Sequence, residues 1–341
     1  MTDKKTRVHF KSNRHAPDTF PNTPEGEEVF TITPERYETA AAHYPEVAAS
    51  LDVSIDMDTD HWEEKMADAE VLVCWNLPTD NLAQVAPELK WIHIIGAGVE
   101  HLNPMTWLPD GVQLVNNKGV HATKAGEFGA MSILMLHSHM PEIVHNQRSA
   151  KYESLYSTPI AGKTVAVVGV GNIGRSVAGH AKRLGLHVLG VSRHGNPLDE
   201  VDEMFAQDKV DEVLPRADYI FNAMPFTSET RNFLNRERLG LLKHGAGVIN
   251  IGRARTMDYD ALCEKLQDGS VSGAILDVFD PEPLPQDSHF WNVPNLIVCP
   301  HISADDGNAY VPDTLDLFFR NMRAYLNGEP LLNPVNPSLG Y

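Results

Sequence analysis

Short apolar runs alternate along this chain with longer stretches of helical spacing, and that rhythm limits its fold more than any other feature. The runs lie around Val8 and at 71–75, 91–96, 112–117, 164–169, 187–192, 219–224, 247–252, 274–279 and 296–300. Runs that are apolar on both faces suit a parallel sheet covered on both sides, and their alternation with helices is the pattern of βαβ units. So many strands exceed one small sheet, and 341 residues leave room for two domains. The fold class expected is α/β, with two Rossmann-like domains built on doubly wound parallel sheets.

Residues 125–148 have the apolar spacing of one substantial helix with Glu127 in its first turn, and this helix reads as the passage from the first domain into the second. The expected division is a domain over 1–122 and another over 123–304. Residues 14–44, rich in Pro, Thr and Glu, interrupt the rhythm after the first strand. They read as an insertion folding over the first domain, with a helix starting near Pro34.

Charge and composition remove several function classes. With 28 Lys+Arg against 46 Asp+Glu the net charge is −18, which disfavours an electrostatic grip on nucleic acid or on an anionic membrane. No apolar run approaches the ~18 residues of a membrane helix, and no secretory signal is readable in the opening residues, so a cytoplasmic location is expected. Cys74, Cys263 and Cys299 are widely spaced without a CxxC, which fits buried thiols in a reducing compartment. No metal site is expected: His137 and His139 stand two apart on the presumed helix and point to different faces.

Gly169, Gly171 and Gly174 form a GxGxxG directly after the run TVAVV and before a helical segment at 175–184 that Gly185 ends. In that context each glycine has a mechanical role. Gly169 makes a tight turn, Gly171 lets backbone approach a diphosphate, and Gly174 lets the helix pack closely on the sheet. Asn172 and Ile173 stand within the same glycine motif, so a dinucleotide is expected against residues 169–174. The next strand should end in an acid that holds an NAD ribose. Instead Ser192, Arg193 and His194 stand there. A hydroxyl beside a guanidinium suits a 2′-phosphate, so NADP(H) is the preferred cofactor expected, with NAD(H) use left open.

Three polar residues follow buried runs: Arg253 after GVINIG, Glu282 after AILDVF through Asp280 and Pro281, and His301 after LIVCP. In open α/β sheets ligands sit at the carboxyl ends of strands. Taken singly, a histidine there is more often a structural residue and DPEP more often a turn. As a set they suit ketone reduction beside a nicotinamide.

The segments carrying them, NIGRARTMDYDAL (250–262), GAILDVFDPEPLP (273–285) and FWNVPNLIVCPHIS (290–303), resemble the signature segments of the NAD(P)-dependent D-2-hydroxyacid dehydrogenases, in the same order and behind GVGNIGR. AMPFTSETRNFLN (223–235), IIGAGVEHL (95–102) and NNKGVHATKAGEFGAM (116–131) resemble that family too, so the likeness covers roughly 70–334. With Trp75 in VLVCWNLP and the Ser192–Arg193 pair, the nearest branch is the glyoxylate/hydroxypyruvate, or 2-keto acid, reductases.

The resemblance implies reduction of a small 2-keto acid to the D-2-hydroxy acid in an active-site cleft between the two domains. His301 would be the proton donor, Glu282 its partner and Arg253 the substrate-orienting group, also at work in binding with His301. It implies a substrate-binding role for the first domain, completed by 305–341 through a helix near 308–326, and a dinucleotide-binding role for the second. Ala97, Gly98 and Val99 match the family's carboxylate cradle, and Trp75 and Asn76 would line the pocket. Met224, Pro225, Ile251, Asp277 and Ser303 lie in matched segments beside the cofactor, with Asp277 at the position that hydrogen-bonds the nicotinamide amide. A homodimer is implied, compatible with the helix and arm at 127–156. Two departures concern the substrate: Ala254 and Arg255 follow Arg253 where the family has glycine, which makes Arg255 a second candidate for substrate charge, and Glu100 stands where Asp is usual. The alternatives are a formate- or phosphite-type dehydrogenase, disfavoured because formate enzymes carry Gln where Glu282 stands, and a nucleotide-sensing binding or corepressor protein. Against the latter stands a short C-terminus ending at Tyr341 without an acidic tail.

Overall fold

Each of the apolar runs becomes a parallel strand in a computed structural model, which describes residues 4–17 and 19–337; Met1–Asp3, Asp18 and the stretch ending at Tyr341 lie outside the described residues. The chain divides into two compact units, Met1–His121 with Asp306–Tyr341, and Ala122–Asp305.

In the first unit β1 (Thr6–Ser12), β2 (Leu51–Met57), β3 (Val71–Cys74), β4 (Trp91–Ile94) and β5 (Gln113–Asn116) form a five-stranded sheet in the order β2-β1-β3-β4-β5. Alternate side chains feed two cores, one on each face. Val71, Val73 and Trp91 join Phe10, Phe318 and Phe319, while Leu72, Cys74, Ile92 and Ile94 join Met66, Leu82 and Leu102. Burial on both faces explains why these strands read as continuous apolar runs. β2 does not read so: LDVSIDM alternates apolar and acidic or hydroxylic residues, as an edge strand with a wetted face does, and it is absent from the sequence-based strand set.

The 14–44 insertion forms two helices, Pro24–Phe30 and Pro34–Ala41. Each has proline in its first turn, and the Thr23 and Thr33 hydroxyls accept from the N–H groups of Gly26 and Arg36. The first of these goes beyond the single helix expected from sequence. The insertion supplies Tyr37 and Tyr44 to the aromatic core beneath the Tyr310–Leu326 helix, with Tyr44 stacked on Phe319 at 5.1 Å.

In the second unit β6 (Thr164–Val168), β7 (His187–Ser192), β8 (Glu203–Ala206), β9 (Tyr219–Asn222), β10 (Ala246–Asn250), β11 (Val271–Leu276) and β12 (Leu296–Val298) form a parallel sheet in the order β12-β11-β10-β9-β6-β7-β8. The order reverses at β6, which places a topological switch point at its carboxyl end. β8, a half-buried edge strand, also escapes the sequence pattern.

The helix expected over 125–148 is two helices, Ala122–His137 and Met140–Arg148. Pro141 lacks an N–H and its ring would meet the His137 carbonyl, so the chain turns through a left-handed His139 (φ 56°) instead. The first of the two begins at Ala122 rather than at 125, so Glu127 sits beyond its first turn. His139 lies in the break rather than on a helix, and the His137 ring bonds the Tyr219 hydroxyl (2.7 Å).

Candidate active site

β6 delivers the glycine loop at the switch point, and the three glycines differ in what a side chain would meet. Gly169 has φ 97°, and a Cβ there would lie 2.8 Å from the 223–224 backbone; at Gly174 it would lie 2.2 Å from the Gly169 carbonyl. At Gly171 it would meet nothing within 4 Å. Two glycines are therefore required by the protein's own packing, and the third by room beside it. Gly171 also opens the Asn172–Arg183 helix, whose N-terminus has no side-chain cap, so the N–H groups of Asn172, Ile173 and Gly174 face that room. The helix ends as the sequence suggests, at a left-handed Gly185 with Leu186 N–H donating to the Ala181 carbonyl. A diphosphate-bearing dinucleotide fits this cradle: open space, unpaired donors and the positive helix end coincide.

At the end of β7 the Ser192 hydroxyl accepts from Gly195 N–H (3.1 Å), and His194 is bridged to Ala206 through the backbone. The Arg193 guanidinium donates to Glu229 at 3.0 Å. Arg193, Glu229, Gln207, Phe233 and Arg238 line an open depression of about 450 Å³. Two acids therefore line the depression beside Arg193, Glu229 from the loop after β9 and Asp208. Met224 and Ile251 are buried on the neighbouring strand ends, and Pro225 accepts through its carbonyl from the Thr230 hydroxyl.

Arg253 follows β10 on a buried polar platform that was not singled out in the sequence. Asn222 Nδ2 donates to Asn250 Oδ1 (3.0 Å) and Thr256 Oγ1 (2.7 Å), while Asn250 Nδ2 and the Thr256 hydroxyl donate to the Arg253 carbonyl. Its signal was present: asparagine ends two adjacent apolar runs, and the two residues are cross-strand neighbours. The Arg253 side chain touches its neighbour's carbonyl, Nη1 donating to Gly252 O (2.8 Å), and its charge lowers the pKa of both Glu282 and His301. Arg255 is held by both oxygens of Asp280 at an exposed position.

His301, left-handed at φ 56°, presents Nδ1 to Glu282 Oε2 at 2.7 Å, and Glu282 Oε1 accepts from Phe279 N–H (2.6 Å). The ring's Nε2 edge remains available, the side chain being half exposed. Desolvation opposes charge on the imidazole, but the hydrogen bond and negative charge of Glu282 outweigh it and hold the pKa above the ordinary value. Desolvation likewise pushes the Glu282 carboxyl up, and His301 with the Phe279 N–H brings it below its usual range. Asp277, fully buried, accepts from the N–H groups of Ile302 (2.9 Å) and Ser303 (3.0 Å) and so clamps the turn that carries His301. Asp305 was not anticipated; burial lifts its carboxyl to about 6, within electrostatic range of His301.

In the first unit, the loop after β4 carries residues 96–99, whose backbone N–H groups find no acceptor among the described residues. Asn116 Nδ2 donates to the Ala97 carbonyl (2.8 Å) and orients the loop, Gly98 lies between, and Val99 is buried. Successive unpaired N–H groups are an anion-binding device. Trp75 packs on Gly96, where a Cβ would come within 2.2 Å of the indole, and stacks on His101 at 4.0 Å. Asn76 is exposed and accepts from the buried Lys11 (2.9 Å), a residue the sequence reading passed over.

Comparison with known proteins agrees with these features. Residues 130–303 match the family model described as "D-isomer specific 2-hydroxyacid dehydrogenase, NAD binding domain". The glyoxylate/hydroxypyruvate reductase B of Pectobacterium carotovorum is 31% identical over 263 residues, covering 75% of this chain and 82% of that protein. The D-3-phosphoglycerate dehydrogenase of Methanocaldococcus jannaschii is 28% identical over 297 residues, 85% of this chain but 56% of that protein, so the chain spans about half the length of that relative. A crystal structure of an NADPH-dependent glyoxylate/hydroxypyruvate reductase from Sinorhizobium meliloti, in complex with NADP and sulfate, superposes with a TM-score of 0.80 at 26% identity, covering 99% of this chain and 100% of that one. The two parallel α/β sheets, the glycine cradle and these likenesses together place the chain in the D-isomer specific 2-hydroxyacid dehydrogenase family, the NAD(P)-dependent oxidoreductases of 2-hydroxy acids.

Proposed function

We propose that this chain reduces a small 2-keto acid of the glyoxylate/hydroxypyruvate type to the D-2-hydroxy acid, with NADP(H) preferred over NAD(H). The observation that carries the reading is the pair at His301: an imidazole held 2.7 Å from Glu282, which raises its pKa above the ordinary value, with the Arg253 guanidinium in electrostatic reach. The nicotinamide cofactor, when bound, supplies the hydride. Residues 169–174 would hold its diphosphate, Ser192, Arg193 and His194 its adenosine end, and Met224, Pro225, Ile251, Asp277 and Ser303 its nicotinamide half.

Reduction leaves alkoxide character on the former carbonyl oxygen, and His301 delivers the proton from Nε2 while Glu282 fixes the tautomer through Nδ1. Arg253 binds the substrate carboxylate and polarises the ketone, on a backbone held by Asn250 and Thr256. The N–H groups of Ala97, Gly98 and Val99 offer a cradle for a substrate carboxylate, and Trp75 and Asn76 contact the rest of the substrate. The exposed apolar side chains of Met131, Leu134, Ile143, Tyr152 and Tyr156 are proposed as a homodimer face, and a cytoplasmic location fits three unpaired cysteines.

The test is a panel of 2-keto acids with NADPH and NADH, followed by loss of nicotinamide absorbance. Turnover of glyoxylate or hydroxypyruvate, faster with NADPH at equal concentration, is the expected result. Tight nucleotide binding without turnover of any keto acid would overturn the enzyme reading in favour of a nucleotide-sensing protein.

A further inference from the structure

The first unit holds a buried cation for which the proposed chemistry has no use. Lys11, near the carboxyl end of β1, is only 5% exposed. Its Nζ donates to Asn13 Oδ1 (2.7 Å) and, across to the end of β3, to Asn76 Oδ1 (2.9 Å). Both acceptors are neutral, and Lys11 makes no ion pair among the described residues; the carboxylate whose charge reaches it, Asp58, is held by Arg14 at 2.8 Å. An ammonium has three donors, and two are used. Lysine is almost never buried unless paired, since a buried charge is costly without a counter-charge.

The place is as telling as the charge. With the order β2-β1-β3-β4-β5, the point where strand order reverses lies between β1 and β3, where α/β sheets take their ligands. Lys11 and Asn76 span that point. Because an ammonium only donates, Asn76 must turn its carbonyl oxygen inward, which aims its NH₂ outward from an exposed side chain. Asn13 Nδ2 is tied to the Phe20 carbonyl (3.1 Å), and the Phe20 ring lies 4.8 Å from Trp75, so the insertion roofs the cluster.

We propose that Lys11 and Asn76 form an anion subsite for the end of the substrate remote from its 2-keto carboxylate, so that 2-keto acids bearing a second carboxylate are preferred. This rests on the reading that Asn76 contacts substrate. In the first unit the N–H groups of residues 97–99 already serve the 2-keto carboxylate; a further cation with an outward donor is matched by a further anion. Asn76 makes the contact. Lys11 is a positioning residue that fixes the amide and adds its charge.

The test compares kcat/KM for oxaloacetate and 2-oxoglutarate with that for glyoxylate and pyruvate, using the full chain and NADPH. The wild type should favour the dicarboxylic acids. Lys11→Met and the exposed Asn76→Ala should each cut that preference about tenfold, through the KM of the dicarboxylic acids. The ratio is the readout because damage to folding lowers both arms together. An equal loss for both classes, an unchanged ratio, or a wild type with no dicarboxylate preference overturns the proposal. If no keto acid is reduced, the reductase reading has failed separately, and calorimetric titration with malonate against acetate decides the subsite. Tighter malonate binding that both variants abolish supports it, and equal binding of the two overturns it.

Discussion

His301 stands between opposed forces: desolvation disfavours the imidazolium, and the Glu282 carboxylate more than restores it. The sign of a test follows. With His301 in the proposed role of proton donor, reduction needs the protonated ring, so the rate should fall as pH rises through the His301 pKa. Glu282→Gln removes the charge, leaves only the more weakly acting Asp277 against desolvation, and should move the alkaline limb of the kcat/KM profile to lower pH, with a lower maximum. The arginines separate in the same way. Arg253→Gln should cost on the order of 10²–10³ in kcat/KM, the scale of losing a transition-state donor. Arg255→Gln breaks an exposed pair with Asp280 and a guanidinium contact over the Phe226 ring at 5.7 Å, and should stay within a few-fold in kcat/KM, with about 1 kcal/mol of stability lost. At the cofactor end, Arg193→Ala should weaken NADPH binding about tenfold and NADH binding little, read by fluorescence titration. Glu229→Gln should act in the opposite sense on NADPH, because Glu229 occupies the same guanidinium. The presence of Arg193 was legible in the sequence. Its partner was not, because Glu229 comes from a loop 36 residues on and proximity of that kind exists only after β7 and β9 have flanked β6.

Elements were legible where burial made them monotonous. Strands covered on both faces are apolar throughout and stand out, whereas β2 and β8 lie at sheet edges, alternate with polar residues and vanish into their surroundings. The break after His137 was written in Pro141, but an apolar period that runs on past it masked the interruption. The glycine loop yields a test that separates fold from binding. Gly174→Ala pushes a methyl against the Gly169 carbonyl and should cost about 1–3 kcal/mol, seen as a fall in Tm. Gly171→Ala meets no protein atom, so Tm should hold while the dinucleotide Kd rises at least tenfold.

For the whole molecule, a net charge of −18 cannot attract an anionic cofactor and an anionic substrate, so attraction resides in a few placed cations and unpaired N–H groups. The same acidity keeps copies of the chain apart unless apolar surface opposes it. Met131, Leu134, Ile143, Tyr152 and Tyr156 provide such surface within one short stretch. Sedimentation or light scattering should give twice the chain mass, and Met131→Glu with Leu134→Glu should shift it toward the monomer by placing charge in the apolar face.

Local order carried most of the identity of this protein. Alternating apolar runs, a glycine loop between strand and helix, and Arg, Glu and His after buried strands can be read one residue after another, because each depends on neighbours within a few positions. Folding alone settled what depends on distant partners. It paired Arg193 with Glu229, gave the 14–44 insertion a place in the first unit's core, set Asn222 against Asn250 beneath Arg253, and buried Lys11 against Asn76. A buried charge or a shared hydrogen bond is a property of the space around a side chain, and that space is made by strands far apart in the chain.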